Sequence, residues 1–330
     1  MEASIEYWCI FNRKNNNKRL FKVVLNAPTD LLAAVMHVST VAYKDHDLNM
    51  LSSLSLRRLG WRAGRALYMR SRGEERFGDI KRNGEAFLQR CMLEATLSEN
   101  IVTVFDIGAN QGEWTKSLLS EASELRLGHE RLVVHAFEPV PSTAEMFRNI
   151  IATGNSDPCV TLHCKAMSDQ SGTAEIAIYG DGAGTNSLHF SNTGRNQESQ
   201  IKVQLDTLTS FFDHHEIAHA QMVKCDTEGH DAKVIIGAQP LLAAGLIDLL
   251  QFEYNHRWIF ARTYLKDVFE LIEGLPYTVV RVGEDRVLAF EEWHPELERY
   301  FQSNYVLVHD RAREWFPTIR GKFDNSNTYA

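Results

Sequence analysis

The chain has 330 residues, 44% of them hydrophobic and 24% charged, an ordinary composition for a globular protein of one large domain plus an extension, or of two modest domains. Its net charge is −8, unevenly shared: residues 1–100 hold 16 Lys and Arg against 11 Asp and Glu, and the remaining 230 hold 19 against 32. An acidic body excludes nucleic acid as the main partner, because phosphate contacts need a basic footprint.

Cys9, Cys91, Cys159, Cys164 and Cys225 lack paired spacing, which predicts reduced thiols in the cytoplasm, neither a disulfide framework nor a zinc site. The opening MEASIEYWCIFNRKNNNKR lacks a basic n-region followed by an apolar core, so no signal peptide is expected. Leu31 to Tyr43, interrupted by His37, Ser39 and Thr40, is too short and polar to span a bilayer.

In chain order, Tyr7–Phe11 and Leu20–Leu25 read as strands of a hairpin around a polar stretch, or as a poorly ordered lead-in. Thr29-Asp30 offers a cap for a helix over Leu31–Ala42. Leu48–Arg72 reads as a basic amphipathic helix broken near Gly60, with arginines at 57, 58, 62, 65, 70 and 72. Residues 56–72 suit peripheral contact with an anionic membrane surface or an acidic partner, or a helix packed on the domain with its arginines in water. A helix over Gly84–Leu97 leads into alternating strands and helices, the mark of a doubly wound, mostly parallel sheet. Strands are predicted at 102–107, 132–137, 160–164, 221–225, 248–253, 277–282 and 286–290, and helices at 113–123, 142–152, 231–243 and 264–273. An insert before the fourth strand holds short strands at Thr173–Ile178 and Gln200–Leu205 around the loop Gly180–Gly194, a candidate lid or acceptor-binding segment. A helix near Glu291–Tyr300 and the apolar run Asn304–His309 lie in the tail. The predicted domains are a mainly helical extension (1–98), the α/β domain (99–310) and a C-terminal tail (311–330).

Thr103–Thr115, TVFDIGANQGEWT, organises the rest. Val104, Phe105 and Ile107 suit a parallel strand covered on both faces. Asp106 stands at its end, and Gly108 and Gly112 bracket a tight turn that brings bare backbone close to a ligand. The spacing Asp-x-Gly-x-Asn-x-Gly, with Asn110 at its centre, is neither the dinucleotide pattern nor a P-loop. The next strand ends at Glu138-Pro139, where nucleoside-binding α/β folds grip both ribose hydroxyls. After the third strand, Met167 is placed to cover the face of a base and Asp169 to accept from an exocyclic amine, although Ser-Asp-Gln-Ser-Gly also satisfies a plain turn.

The fourth and fifth strands end in Asp226-Thr227-Glu228-Gly229-His230-Asp231 and in Glu253-Tyr254-Asn255-His256. Ligands of open α/β sheets bind outside such carboxyl ends. Asp226 or His230 is placed to take a proton from a substrate hydroxyl, with Glu228 or Glu253 orienting it. A carboxylate cage for Mg²⁺ is the rival reading. A third has Asp231 capping the following helix and Glu228 holding backbone amides of the turn. His214, His215 and His219 read as surface histidines, and no metal site is expected. Arg195 is a candidate partner for a phosphate of a nucleotide-sugar acceptor.

The order of FDIGANQGEWT, AFEPVPS, AMSDQSG, NSL, VQLDTL, VKCDTEGHDAKVIIGA and LLQFEYN resembles the FkbM-type methyltransferases, a branch of the class I S-adenosylmethionine-dependent enzymes. The resemblance covers roughly residues 100–290. It implies a Rossmann-like seven-stranded sheet with a reversed last hairpin, binding S-adenosyl-L-methionine at its carboxyl edge. On this reading Asp106, Gly108, Asn110 and Gly112 hold the methionine part, Glu138 binds ribose, and Met167, Ser168 and Asp169 frame adenine. Asp226, Glu228 and His230 then face the methyl group and acceptor. The family more usually carries Asp-x-Glu-Gly-x-Glu where this chain has Asp226-Thr227-Glu228-Gly229-His230-Asp231, and His230 within that segment leaves the base open. The expected activity is O-methyl transfer to a small-molecule, sugar or glycan acceptor, by a cytoplasmic enzyme with self-association into a homo-oligomer left open. A nicotinamide-dependent dehydrogenase and a non-catalytic scaffold that keeps the fold are the alternatives.

Overall fold

The computed structural model describes residues 5–12, 18–25, 50–72, 79–152, 159–179, 186–188 and 199–323. The chain divides into two compact units, Met1–Ser71 and Arg72–Ala330. In the first, β1 (Ile5–Asn12) and β2 (Lys18–Leu25) form an antiparallel hairpin in which Ile5 faces Leu25 and Asn12 faces Lys18. Helix α1 (Met50–Ser71) follows and runs 22 residues without interruption. The break predicted near Gly60 does not occur. Glycine in a helix costs roughly 1 kcal/mol relative to alanine but keeps its N–H, so the hydrogen-bond ladder continues through it. The cap predicted at Thr29-Asp30 and the helix at Leu31–Ala42 lie outside the described residues. Among the described residues no helix is long and apolar enough to cross a membrane.

The second unit opens with α2 (Glu85–Ala95) and then alternates: β3 (Val102–Ile107), α3 (Glu113–Glu124), β4 (Leu132–Phe137), α4 (Pro141–Ala152) and β5 (Val160–His163). Strands β6 (Ala166–Met167), β7 (Gly172–Ile178) and β8 (Ser199–Asp206) make a separate three-stranded sheet with β8 in the middle. Then come α5 (Leu208–His214), β9 (Ala220–Cys225), α6 (Asp231–Gly237), α7 (Gln239–Ala243) and β10 (Ile247–Tyr254). The chain ends with α8 (Trp258–Ala261), α9 (Leu265–Leu271), β11 (Tyr277–Val282), β12 (Val287–Phe290), β13 (Ser303–His309) and β14 (Thr318–Arg320).

Among the described residues the main sheet has nine strands in the order β14-β12-β11-β13-β10-β9-β3-β4-β5. Strands β5, β4, β3, β9 and β10 are parallel, and β13 inserts antiparallel between β10 and β11. The large, mostly parallel α/β sheet is therefore as expected, but among the described residues it has nine strands where seven were expected, because β13 and β14 join it, and one position is exchanged. The reversed strand beside β10 is β13, from the run assigned to the tail, and 286–290 forms β12 farther out, on the other side of β11. The reason lies in burial. Residues Ser303–Val308 are buried throughout, whereas the middle of β12 is only partly covered; the longer run, seven residues against four, takes the interior position and pairs on both sides. The helix predicted over 231–243 divides at Ala238 into α6 and α7, with Pro240 at the start of the second. Near Glu291–Tyr300 the described helix is one 3₁₀ turn, Pro295–Leu297.

Two apolar layers sandwich the sheet, and strand alternation assigns residues to them. Val102, Val104, Met222, Leu249, Val306 and Val308 join the layer that holds Leu88, Trp114 and Leu118 from α2 and α3. Phe105, Ile107, Val223, Leu250, Phe252 and Leu307 join the layer that holds Phe211, Val234 and Trp258. With period two, neighbours along a strand must serve opposite faces. The sheet is thus fixed from both sides, and its carboxyl edge becomes a rigid rim.

Candidate active site at the carboxyl edge of the sheet

Strand order reverses at β3, which has β4 on one side and β9 on the other. A cleft of about 140 Å³, open to solvent, lies at that switch point. Gly108, Asn110, Glu138 and Pro139 line one side, Met167 and Lys165 another, and Asp226, Thr227, Glu228 and His230 a third. Asn186 and Leu188 also line it, so part of the candidate lid segment reaches the cleft. Apart from 186–188, the segment Gly180–Gly194 and Arg195 lie outside the described residues.

The glycine turn is held at both ends by close packing. Gly108 has φ +76°, and a Cβ there would sit 1.9 Å from the carbonyl oxygen of Asp226. Only glycine lets the β3 turn meet the β9 tip. Gly112 has φ +89°, and a Cβ there would come within 2.8 Å of the Phe147 ring on α4. Between them Asn110 adopts φ +47° and donates its backbone N–H to Glu138 Oε2 at 3.1 Å. The amides of Gly108 and Ala109 donate to the carbonyl of Phe137. The turn after β3 is thereby tied to the tip of β4.

Asp106 is fully buried; its Oδ2 accepts from Thr115 Oγ1 at 2.6 Å, and its Oδ1 forms an ion pair with Lys224 Nζ at 3.2 Å. That second contact lacks the alignment of a hydrogen bond. Lys224 also lies 3.7 Å from Asp226 Oδ2 and donates to the Gly108 carbonyl at 3.3 Å. Burial alone depresses this ammonium, but Asp106, Asp226 and Glu85 more than offset it and hold Lys224 above its usual range. Sequence reasoning assigned Lys224 no role. The available signal was a lysine inside a buried strand, which is tolerated only when paired.

Glu138 accepts from the backbone amides of Asn110 and Val140, the latter at 2.9 Å on Oε1. Burial nevertheless pushes it up to about 7, against the lowering effect of those two amides. Asp231 is likewise pushed up to about 7, first by burial and then by Asp226. Its carboxylate accepts from the amides of Thr227 and Gly229 at 3.3 and 3.2 Å. It is Asp231 that holds the turn, the role the sequence offered to Glu228 as an alternative. Glu228 itself, at φ +57°, pairs with Arg257 at 2.9 Å, and burial, then Asp226, raise it.

Not all of the predicted residues converge. Met167 faces the cleft, but Ser168 and Asp169 stand behind it. Ser168 Oγ lies 2.9 Å from His230 Nε2 and 3.0 Å from Asp169 Oδ1, and Asp169 Oδ2 pairs with Lys233 at 2.8 Å. Glu253 lies outside the lining, accepting from Gln302 Nε2 at 2.6 Å and Asn255 Nδ2 at 2.5 Å, and burial raises it. Asp226 differs: its side chain is 39% exposed, and Lys224 at 3.7 Å is its described ion-pair partner. His214, the last residue of α5, and His215 after it are exposed and His219 partly so, away from the cleft lining. Among the described residues no group of three His, Cys, Asp or Glu has metal-holding geometry.

Residues 106–300 match the family described as Methyltransferase FkbM domain. Among solved structures, the methyltransferase FkbM from Methylobacillus flagellatus KT aligns at 14% identity and a TM-score of 0.40, over 63% of this chain and 44% of that one. The METTL16 MTase domain aligns at 9% identity and 0.38, over 68% and 66%. The bifunctional kinase-methyltransferase WbdD gives 13% and 0.39, over 71% and 40%. This chain therefore spans less than half the length of the first and third. No curated protein matches the sequence.

Proposed function

The chain belongs to the FkbM methyltransferase family, and from that premise we propose that it uses S-adenosyl-L-methionine to methylate a hydroxyl oxygen of a small-molecule, sugar or glycan acceptor. The observation that carries this reading is the cleft at the β3 switch point, where Glu138 at one strand tip and Asp226 at another flank a bare glycine turn. The residues suit the donor. Carboxylates favour a cationic sulfur, and a buried hydroxyl on Thr143 in the lining has no described protein partner. When bound, the donor supplies a methyl group already activated by positive charge on sulfur.

In this proposal Gly108, Asn110 and Gly112 bind the methionine part, with Asp106 fixed by Thr115 and Lys224 so that the turn keeps its shape. Glu138 accepts from the ribose hydroxyls. Met167 covers the adenine, and Ser168 and Asp169 hold Met167's segment in place. Aligning acceptor and donor supplies roughly 7–11 kcal/mol of barrier reduction. Asp226 receives the acceptor's hydroxyl proton on its carboxylate. The choice among the four candidates rests on commitment: Glu228 is paired with Arg257, Glu253 with Gln302 and Asn255, and His230 Nε2 with Ser168, while Asp226 projects into the cleft. His230, Glu228 and Glu253 position the loop and the acceptor.

Calorimetry with S-adenosylhomocysteine and turnover assays on variants test this. Asp106→Ala should abolish donor binding. Asp226→Asn should leave product affinity within a few-fold and lower kcat by about 10²–10⁴, the usual worth of a general base. His230→Ala should cost less than tenfold. No heat with S-adenosylhomocysteine would sink the whole reading, and a larger loss for His230→Ala than for Asp226→Asn would move the base to His230.

The proposed setting is the cytoplasm, in keeping with free thiols at Cys91, Cys159, Cys164 and Cys225. Peripheral contact with anionic membranes through 56–72 is the proposed role of α1, which carries Arg57, Arg58, Arg62, Arg65 and Arg70 beside Trp61, 72% exposed, and Leu59, 59% exposed.

A further inference from the structure

Thr143 is 1% exposed, and its Oγ1 is a buried hydroxyl without a hydrogen-bond partner among the described residues. It lines the cleft. A buried donor left unmade costs the fold about 1–3 kcal/mol, so such a group calls for a partner from outside the chain. The position is defined by α4: Thr143, Ala144 and Phe147 form its buried face, and Phe147, one turn on, packs against Gly112. Thr143 thus lines the same cleft as Gly108, Asn110 and Glu138, and the Glu138 oxygens accept from the amides of Asn110 and Val140.

We propose that Thr143 is a second reader of the donor's ribose, donating from Oγ1 to one ribose hydroxyl oxygen while Glu138 accepts from the hydroxyl hydrogens. The inference rests on the donor assignment above and adds a specificity-determining residue to it. The chemistry is complementary. An ionised carboxylate can only accept, whereas each hydroxyl of the diol also offers lone pairs, and only a donor such as Thr143 can use them. Together the two side chains recognise a free hydroxyl by both of its capacities. A ribose lacking that hydroxyl leaves Thr143 unsatisfied, and one bearing a phosphate there brings charge against Glu138.

The test uses the full chain, Thr143→Val (same shape, no hydroxyl) and Thr143→Ser (hydroxyl kept). S-adenosylhomocysteine and its 2′-deoxy and 3′-deoxy analogues are titrated by calorimetry, and the melting temperature is read without ligand. Thr143→Val should bind S-adenosylhomocysteine about tenfold more weakly, the worth of one buried hydrogen bond. Its preference for the parent compound over one of the two deoxy analogues should fall by the same factor. Thr143→Ser should stay within about threefold of the parent protein, a fraction of the loss of that bond. The ligand-free melting temperature of Thr143→Val should equal or exceed that of the parent, because an orphan hydroxyl is removed. Unchanged affinity in Thr143→Val, equal weakening toward all three compounds, or a lower ligand-free melting temperature would each overturn the inference. If the parent protein itself binds none of the three, the donor assignment fails instead.

Discussion

Burial at the tip of β4 raises Glu138 to about 7 even though two backbone amides donate to it. The folded chain therefore keeps a proton between pH 4.5 and about 7 that the unfolded chain has already released. The stability this lends is complete below pH 4.5 and is lost as the pH rises through about 7. Asp231 acts in the same direction. Urea midpoints at pH 5 and pH 8 should fall with pH, and Glu138→Gln should make the decline shallower by on the order of 2 kcal/mol. Parallel declines in the two proteins would contradict this. Donor affinity should run the other way, rising through pH 7 as Glu138 ionises. At this scale Asp106, Gly108 and Glu138 could be picked out beforehand because strand-end acids and turn glycines are written locally. Thr143 could not, since its burial depends on which element covers it, and for Lys224 the strand position marked a lysine in need of a partner without saying which acids would supply it.

Helix α1 shows how a local rule can be read too strongly. Gly60 is exposed, and a Cβ there would touch nothing within 4 Å. It lowers helix propensity without bending or breaking the helix. Gly60→Ala should stabilise α1 by about 1 kcal/mol, seen as slower amide exchange across the helix; faster exchange would show that the glycine has a packing role. Strands β12 and β13 illustrate the opposite difficulty. Both read as short apolar runs, and sequence order favours the nearer one as partner of β11. The sheet uses both, but gives the interior place to β13, which pairs with β10 over Leu249–Tyr254 and with β11 over Tyr277–Arg281. Proximity along the chain cannot reveal that, because the choice depends on competing burial.

For the whole of the second unit, β13 is the keystone between the parallel strands and the outer strands. A chain ending at residue 302 removes a strand hydrogen-bonded on both sides, along with Tyr305 and Leu307 from one apolar layer and Val306 and Val308 from the other. Losing four fully buried side chains costs roughly 6–12 kcal/mol, comparable to the whole stability of a typical domain. That truncation should yield no cooperative melting transition by circular dichroism, and a native-like transition would show that β10 and β11 can pair without it. The sequence by itself determined the parallel core, the helices that cover it, the carboxyl edge as the place of the cleft, and the glycine turn facing Glu138, because periodicity and turn chemistry act over a few residues. Only the tertiary structure decided which strand lies beside β10, which acids are already engaged by Arg257, Gln302 or Lys233, and that Asp226 is left facing the cleft. Those outcomes depend on contacts between residues dozens of positions apart, which no local pattern records.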